Sequence, residues 1–543
     1  MRALSSWTAA DIRCEMLYGG RVEPCFAERP ASLHQMLDDA AARAPERCAL
    51  VCGEQRLTYG ELLHAAADLA TGMAAVGIQP GDRVALLLGN RIEFVLALFA
   101  AARLGAIAVP LSVREQTPGL SYMLQHCGAR LLLHEAPLAT VLPAPSELPA
   151  LSHRWQVGEG PVAAGSVPYA QQLGRGPLVP VASVHEQDTA AILYTSGTTG
   201  RPKGAMLTHV GIVHSSMHFA RAMQLGPDDA TVAAVPLSHV TGLVALTTTF
   251  VYCGGKMVIL PAFKAAEYLR IATAERITHS LMVPAMYKLC LLDPGLRSQD
   301  LSAWRIGAYG GAPMPVATIT ELADKLPQLE LMNCYGATET TSPATVMPIG
   351  RTRTHSDTVG QALHCVDLRV MDDEGREVAP GVLGEIWIKG PMVVRGYWDN
   401  PQATAEQITG GYWHSGDLGT IDAQGYVRVL DRKKDMINRG GLKVYTIEVE
   451  NALYEHPLVQ ECAVVAKPCP VLGERVHAFV SLKSGQGLDP ALPEALKAHC
   501  STRLSDYKVP ESYTVQLDPL PRNANGKLLK RQMRDEAVVH ISS

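Results

Sequence analysis

Ala190-Ala191-Ile192-Leu193-Tyr194-Thr195-Ser196-Gly197-Thr198-Thr199-Gly200-Arg201-Pro202-Lys203-Gly204 is an apolar run that passes directly into a polar, glycine-rich loop. From Thr195 to Gly204 the loop holds three glycines, four hydroxyl residues and one lysine. Glycine lets successive backbone N–H groups converge on an anion, while hydroxyls and a lysine add donors and charge. A buried strand feeding such a loop is what a polyphosphate needs. The loop is not a Walker A sequence, because Pro202 precedes the lysine where G-K-[ST] requires glycine.

Outward from this loop the chain alternates helix and strand patterns. Leu57-Thr58-Tyr59-Gly60-Glu61 opens an Ala/Leu-rich helix, Gly81-Asp82-Arg83 precedes the apolar run Val84 to Leu88, and Arg91 to Leu104 reads as a helix. Ala106 to Leu111 reads as another buried strand. Phe94 to Leu111 is the most apolar stretch, but Arg103 and Gly105 interrupt it, so a buried helix and strand fit better than a membrane span. Alternating strands and helices predict an α/β protein with largely parallel sheets. The Pro-, Gly- and Ser-rich stretch from Pro137 to Pro180 reads as a surface excursion within one large domain. A second change comes at Asp431-Arg432-Lys433-Lys434-Asp435, beyond which Glu461 to Lys467 and Val476 to Leu482 read as strands of a small α+β domain.

The 543 residues carry 48 Lys+Arg against 53 Asp+Glu, a net charge of −5, with 47% hydrophobic and 19% charged residues. These values exclude a disordered chain and, without a Lys/Arg block, disfavour a nucleic-acid binder. Met1 to Gly20 contains Asp11, Arg13 and Glu15 and lacks the apolar core of a secretory signal or anchor. The 12 cysteines are scattered, with no C-x-x-C pair and no His cluster beside the closest pair, Cys48 and Cys52. Free thiols in a reducing cytoplasm are the expectation, not a zinc site.

Tyr194 to Gly204 resembles the signature loop of the adenylate-forming superfamily, which includes acyl-CoA synthetases, peptide-synthetase adenylation domains and beetle luciferases. Further motifs stand in the same order as in that family. They are Pro236-Leu237-Ser238-His239, Tyr309-Gly310-Gly311-Ala312-Pro313, Tyr335-Gly336-Ala337-Thr338-Glu339, Ser415-Gly416-Asp417-Leu418, Asp431-Arg432 with Gly440-Gly441, and Asn525-Gly526-Lys527. The likeness runs from about Leu33 to Arg531 and is strongest to bacterial carboxylate–CoA ligases. It implies a large N-terminal domain of mixed and parallel sheets with flanking helices and a β-subdomain, residues 1–431. A small, mobile α+β C-terminal domain, residues 432–543, would turn on a hinge at Lys434.

The activity implied is ATP-dependent: a carboxylate attacks the α-phosphate of ATP, and a thiol, coenzyme A, then displaces AMP. By that resemblance Thr195, Ser196, Gly197, Thr198, Thr199, Gly200 and Lys203 would cradle phosphates. Gly310, Gly311 and Ala312 would line the adenine and acyl pockets. Tyr335 would stack on adenine beside Gly336, Thr338 would bond the α-phosphate, and Glu339 would bind Mg²⁺. Asp417 would hold the ribose hydroxyls with Arg432 nearby, and Lys527 would bridge carboxylate and phosphate. His239 would gate the thiol channel, and Gly440 and Gly441 would admit the pantetheine arm after rotation at Lys434. Ser415 and Asn525 stand where the family usually has Thr and Ser/Thr.

Peptide-synthetase adenylation domains typically carry an Asp in the segment that Val235 to Val240 resembles, to pair with the substrate ammonium; no acid stands there, so the resemblance implies a substrate other than an amino acid. Val235 to Val244, Val283 to Tyr287 and Ala308 to Ala312 contain no Arg or Lys, so an uncharged aliphatic or aromatic acid is expected, as in fatty acid metabolism. The rival readings are an acyl-adenylate ligase that loads a carrier protein and a catalytically silent nucleotide-binding relative. The expected partners are a small carboxylate, ATP and CoA, with no nucleic acid and no transmembrane segment; a homodimer is compatible with this.

Overall fold

The computed structural model describes residues 11–174, 176–195, 201–483, 485–522 and 528–539, with Val539 described by its backbone alone. The chain forms two compact units. One comprises residues up to Met314, Ile319–Leu368 and Trp387–His414; the other comprises Pro315–Thr318, Arg369–Ile386 and the chain from Ser415 onward.

The first unit is built on two large sheets. In the seven-stranded sheet the order is Lys203–Thr208, Thr189–Thr195, Ile107–Pro110, Arg83–Leu87, Ala129–Glu135, His153–Val157 and Val167–Pro168. All neighbours are parallel except Thr189–Thr195 with Lys203–Thr208, an antiparallel pair that closes the glycine-rich loop, with Thr195 opposite Lys203. The nine-stranded sheet has a parallel centre, including His279–Met282, Ile306–Gly310 and Glu330–Tyr335. The expected α/β class is the one observed.

Local sequence explains the elements. Thr58 and Glu61 form a reciprocal capping box that starts helix Tyr59–Ala75. Helix Ile92–Leu104 is buried along nearly its whole length and stops at Gly105, which adopts φ 67°. Strand Ile107–Pro110 follows, so the apolar stretch divides as expected. The excursion after Pro137 differs from its reading. Five residues, His153–Val157, pair in parallel with Leu131–Glu135 and bury Trp155 completely, so part of this Pro/Gly-rich segment extends the sheet.

In the second unit, a five-stranded sheet is centred on Gly473–Leu482, which pairs antiparallel with the edge strand Val459–Cys469 and also with Ile437–Arg439 and Ser512–Gln516. Helices Thr446–Tyr454, Leu492–Ser501 and Lys530–Val539 accompany it. Strand Tyr412–Ile421 begins in the first unit and continues into the second, where Asp417 lies opposite Arg432 of Val427–Arg432.

Candidate functional site

The parallel strands of the nine-stranded sheet deliver the motifs at their C-terminal ends, where open α/β sheets place ligands. Ile306–Gly310 ends at Gly310-Gly311, and Glu330–Tyr335 ends at Tyr335, followed by the short helical turn Thr338–Thr340. Thr340 Oγ1 accepts the Ala337 N–H at 2.8 Å, and Thr341 Oγ1 donates to the Met392 carbonyl at 2.6 Å. The turn is therefore fixed from both ends, and Glu339 sits on it almost fully buried.

Three elements converge on Glu339. Its Oε1 accepts the Thr195 hydroxyl at 3.1 Å and the Tyr397 hydroxyl at 3.1 Å. The Val394 N–H donates to its backbone carbonyl at 2.9 Å. Lys203 Nζ lies 4.6 Å from the centre of the Tyr397 ring, a cation–π contact. Burial, and then the charge of Glu339, push the Tyr397 phenol well above its ordinary pKa, so it remains a donor. Thr195 and Lys203, on the two strands that flank the loop, thus share one locus with Glu339, which is 144 residues from Thr195 in sequence. Tyr397 is a member that the sequence reading missed. A tyrosine in Arg395-Gly396-Tyr397 carries no signal by itself, because its role depends on meeting Glu339 across 58 residues of chain.

Glu339 Oε2 has no hydrogen-bond partner among the described residues. Two hydroxyls anchor one oxygen and leave the other for a cation, a donor set that suits Mg²⁺, which takes one or two carboxylates plus substrate phosphates and waters. Among the described residues no cluster of three His, Cys, Asp or Glu side chains offers an all-protein metal cage.

His239 is positioned from another direction. Asn90, also unnoticed in the sequence, lies in the turn after strand Arg83–Leu87. Its Nδ2 donates toward the carbonyls of Ala233, Val235 and Leu260 at 3.0–3.2 Å, and its Oδ1 accepts the Leu237 N–H at 2.9 Å. This amide fixes the Val235–His239 segment. Past it, Gly242 is required by close approach, since a Cβ there would stand 2.2 Å from the Pro236 carbonyl oxygen. The half-buried His239 ring lies 3.2 Å from Thr241 Oγ1, at the start of the wide π-helix Thr241–Thr248.

At Gly310, a Cβ would meet the Cys334 carbonyl oxygen of the adjoining strand at 2.5 Å. The space it leaves is used in sheet packing, whereas Gly311 and Ala312 are exposed. Tyr287 is fully buried and donates to the Ala308 carbonyl at 2.7 Å, bracing the strand that ends at Gly310.

In the second unit, Asp417 is buried and Arg432 Nε lies 2.9 Å from its Oδ1. Ser415 Oγ accepts the Asp417 N–H at 3.0 Å and donates to the Ile386 carbonyl at 2.6 Å. The serine thus orders the turn without the methyl group of a threonine. Glu385 accepts the Gly416 N–H at 3.0 Å. Lys434 is exposed. Among the described residues, none beyond its chain neighbours comes within 4 Å of a Cβ built on Gly441, whose φ of +91° is itself the demand for glycine. Gly440 likewise has positive φ. Ser196, Gly197, Thr198, Thr199, Gly200 and Lys527 lie outside the described residues.

Comparisons with known proteins identify the family. The family model described as AMP-binding enzyme matches residues 37–398, and the AMP-binding enzyme C-terminal domain matches residues 448–527. The chain is 36% identical over 494 residues to feruloyl-CoA synthase of an Amycolatopsis species, covering 91% of this chain and 96% of that one. It is 33% identical over 527 residues to the medium-chain fatty-acid–CoA ligase of Escherichia coli K12, covering 94% and 91%. Among solved structures, O-succinylbenzoate coenzyme A synthetase from Bacillus subtilis, in complex with ATP and magnesium ion, superposes with a TM-score of 0.80 at 28% identity. That match covers 92% of this chain and 99% of the other.

Proposed function

This chain belongs to the AMP-binding enzyme family and is an AMP-forming acid–thiol ligase, and from that premise we propose that it joins an uncharged aliphatic or aromatic carboxylic acid to coenzyme A. The observation that carries this reading is Glu339, anchored through one oxygen by Thr195 and Tyr397 beside Lys203. Adenylation needs positive charge and donors where negative charge moves from the α-phosphate to the leaving pyrophosphate.

In the first half-reaction the acid oxygen bonds to the α-phosphorus as the bond to the β-phosphate oxygen breaks, releasing pyrophosphate. Thr195 and Lys203 contribute a hydroxyl and an ammonium at the phosphates, Thr338 a hydroxyl at the α-phosphate, and Tyr335 an aromatic face for adenine. A magnesium ion bound at Glu339 would neutralise phosphate charge. Asp417 accepts the ribose hydroxyls, as an ionised carboxylate can, with Arg432 beside it. Lys527 bridges the two reacting anions. In the second half the thiol sulfur attacks the acyl carbon, AMP departs, and His239 borders the thiol path. A rotation at Lys434, between domains 1–431 and 432–543, exchanges Lys527 for the Gly440-Gly441 face. The enzyme works in the cytoplasm.

The carrier-protein reading has one point in its favour, a 34% identical relative named as a fatty acid–[acyl-carrier-protein] ligase. We favour CoA because acyl-adenylate ligases that load carrier proteins usually carry an insertion before the hinge, and the sequence has none between Asp417 and Asp431. The test is Lys527→Ala assayed in each half. Pyrophosphate exchange should vanish, while supplied acyl-adenylate plus CoA still yields thioester. Equal loss in both halves would rule out the alternating role of this lysine.

A further inference from the structure

The charged run Asp431 to Asp435 is not merely a solvated turn. Lys433 and Lys434 are exposed, but Asp431 is buried at 2% exposure and its carboxylate reaches across the turn. It accepts the N–H of Thr446 and, at 3.1 Å, the Thr446 hydroxyl, as well as the Arg432 N–H at 2.7 Å. Thr446 opens helix Thr446–Tyr454. Its hydroxyl in turn accepts from Lys530 Nζ at 2.8 Å, and that ammonium also pairs with Glu450 Oε1 at 2.8 Å. Lys530 begins the terminal helix Lys530–Val539, three residues after Lys527 in the sequence. One turn further along, Arg534 Nη2 pairs with Asp435 Oδ1 at 2.6 Å.

The two carboxylates of the run, Asp431 with its hydrogen bonds to Thr446 and Asp435 with its ion pair to Arg534, fall on opposite sides of Lys434. Asp435 lies after it, so its bond to Arg534 joins parts that would turn together. Asp431 lies before it, so its bonds to Thr446 connect parts that a rotation at Lys434 would separate. Burial raises the Asp431 carboxyl above its ordinary pKa, opposed by the Lys530 charge and by the donors of Thr446 and Arg432. Burial likewise opposes the charge of Lys530, but Glu450 and the two aspartates outweigh it, so the ammonium stays charged.

Resting on the ligase reading above, we infer that Asp431 is a positioning residue that latches the chain across the Lys434 hinge, holding Thr446 and through it Lys530. The latch favours one of the two conformations that the half-reactions alternate between. A contact made in one of two states biases their equilibrium by its own free energy. Asp435–Arg534 has no such bias and only keeps the terminal helix on the turning body.

The test uses the full-length enzyme and two rates, pyrophosphate exchange for the first half and conversion of supplied acyl-adenylate by CoA for the second. Asp431→Asn and Thr446→Val should each change the ratio of the two rates about tenfold, in the same direction, with the double variant no further than the larger single. Arg534→Gln should leave the ratio within about twofold of wild type. Both rates are read on the same folded population, so the ratio does not depend on how much of a variant folds. A ratio unmoved in both latch variants, or additive effects in the double, would overturn the latch. Wild-type enzyme silent in both halves with every acid would instead overturn the ligase reading.

Discussion

The Tyr397 hydroxyl lies 3.1 Å from Glu339 Oε1, the same oxygen that Thr195 bonds, so a residue of the Arg395-Gly396-Tyr397 turn helps to orient the carboxylate proposed for magnesium. Tyr397→Phe keeps the ring and its contact with Lys203 but removes this donor. A buried hydrogen bond to a charged group contributes about 1.5–3 kcal/mol. We expect the apparent KM for magnesium–ATP to rise about tenfold or more, with the KM for the acid nearly unchanged. Titrating pyrophosphate release against magnesium at fixed ATP measures it, and an unchanged magnesium dependence would remove Tyr397 from the site.

Asn90 joins four backbone groups around the Val235–His239 segment. Asn90→Ala leaves the Leu237 N–H and the carbonyls facing it without that partner, at a cost of about 2–4 kcal/mol. The variant should melt lower and bind the acid more weakly, while its KM for ATP stays close to wild type. A thermal scan together with both KM values checks this; a loss confined to ATP would contradict it.

Glu23 gives a pH dependence with a definite sign. It is 1% exposed, neither carboxylate oxygen has a hydrogen-bond partner among the described residues, and Lys389 Nζ is 3.9 Å away. Burial raises its pKa to about 7, against the pull of Lys389 and Arg21, with Asp367 adding to the rise. The folded state therefore keeps a proton that the unfolded state gives up above about pH 4.5. The stability associated with this proton is full below that pH and is lost as pH rises through about 7, a swing of about 3 kcal/mol. Glu23→Gln should be more stable than wild type at pH 8, with the difference shrinking toward pH 5. Parallel melting curves across pH 5–8 would refute this.

How much of this was legible in the sequence follows the range of the interactions. The Thr58/Glu61 capping box and the Gly105 stop are local, and the sequence displays both. The ordered motifs placed Thr195, Lys203 and Glu339 in one family of sites, and the structure brings these three together. Tyr397 and Asn90 were not legible, because each acts on groups 58 to 170 residues away in sequence. Asp431 stands in a charged run and a family motif, and nothing in the run distinguishes the buried acid from its exposed lysine neighbours. Strand His153–Val157 was hidden by its Pro- and Gly-rich flanks.

The most direct measurement of the central claim is an acid panel incubated with the enzyme, ATP, magnesium and CoA, with thioester, AMP and pyrophosphate quantified together by mass. Uncharged aliphatic or aromatic acids should yield acyl-CoA, AMP and pyrophosphate in equal amounts. Thioester formed only from dicarboxylates, or acyl-adenylate accumulating without any thioester, would contradict it.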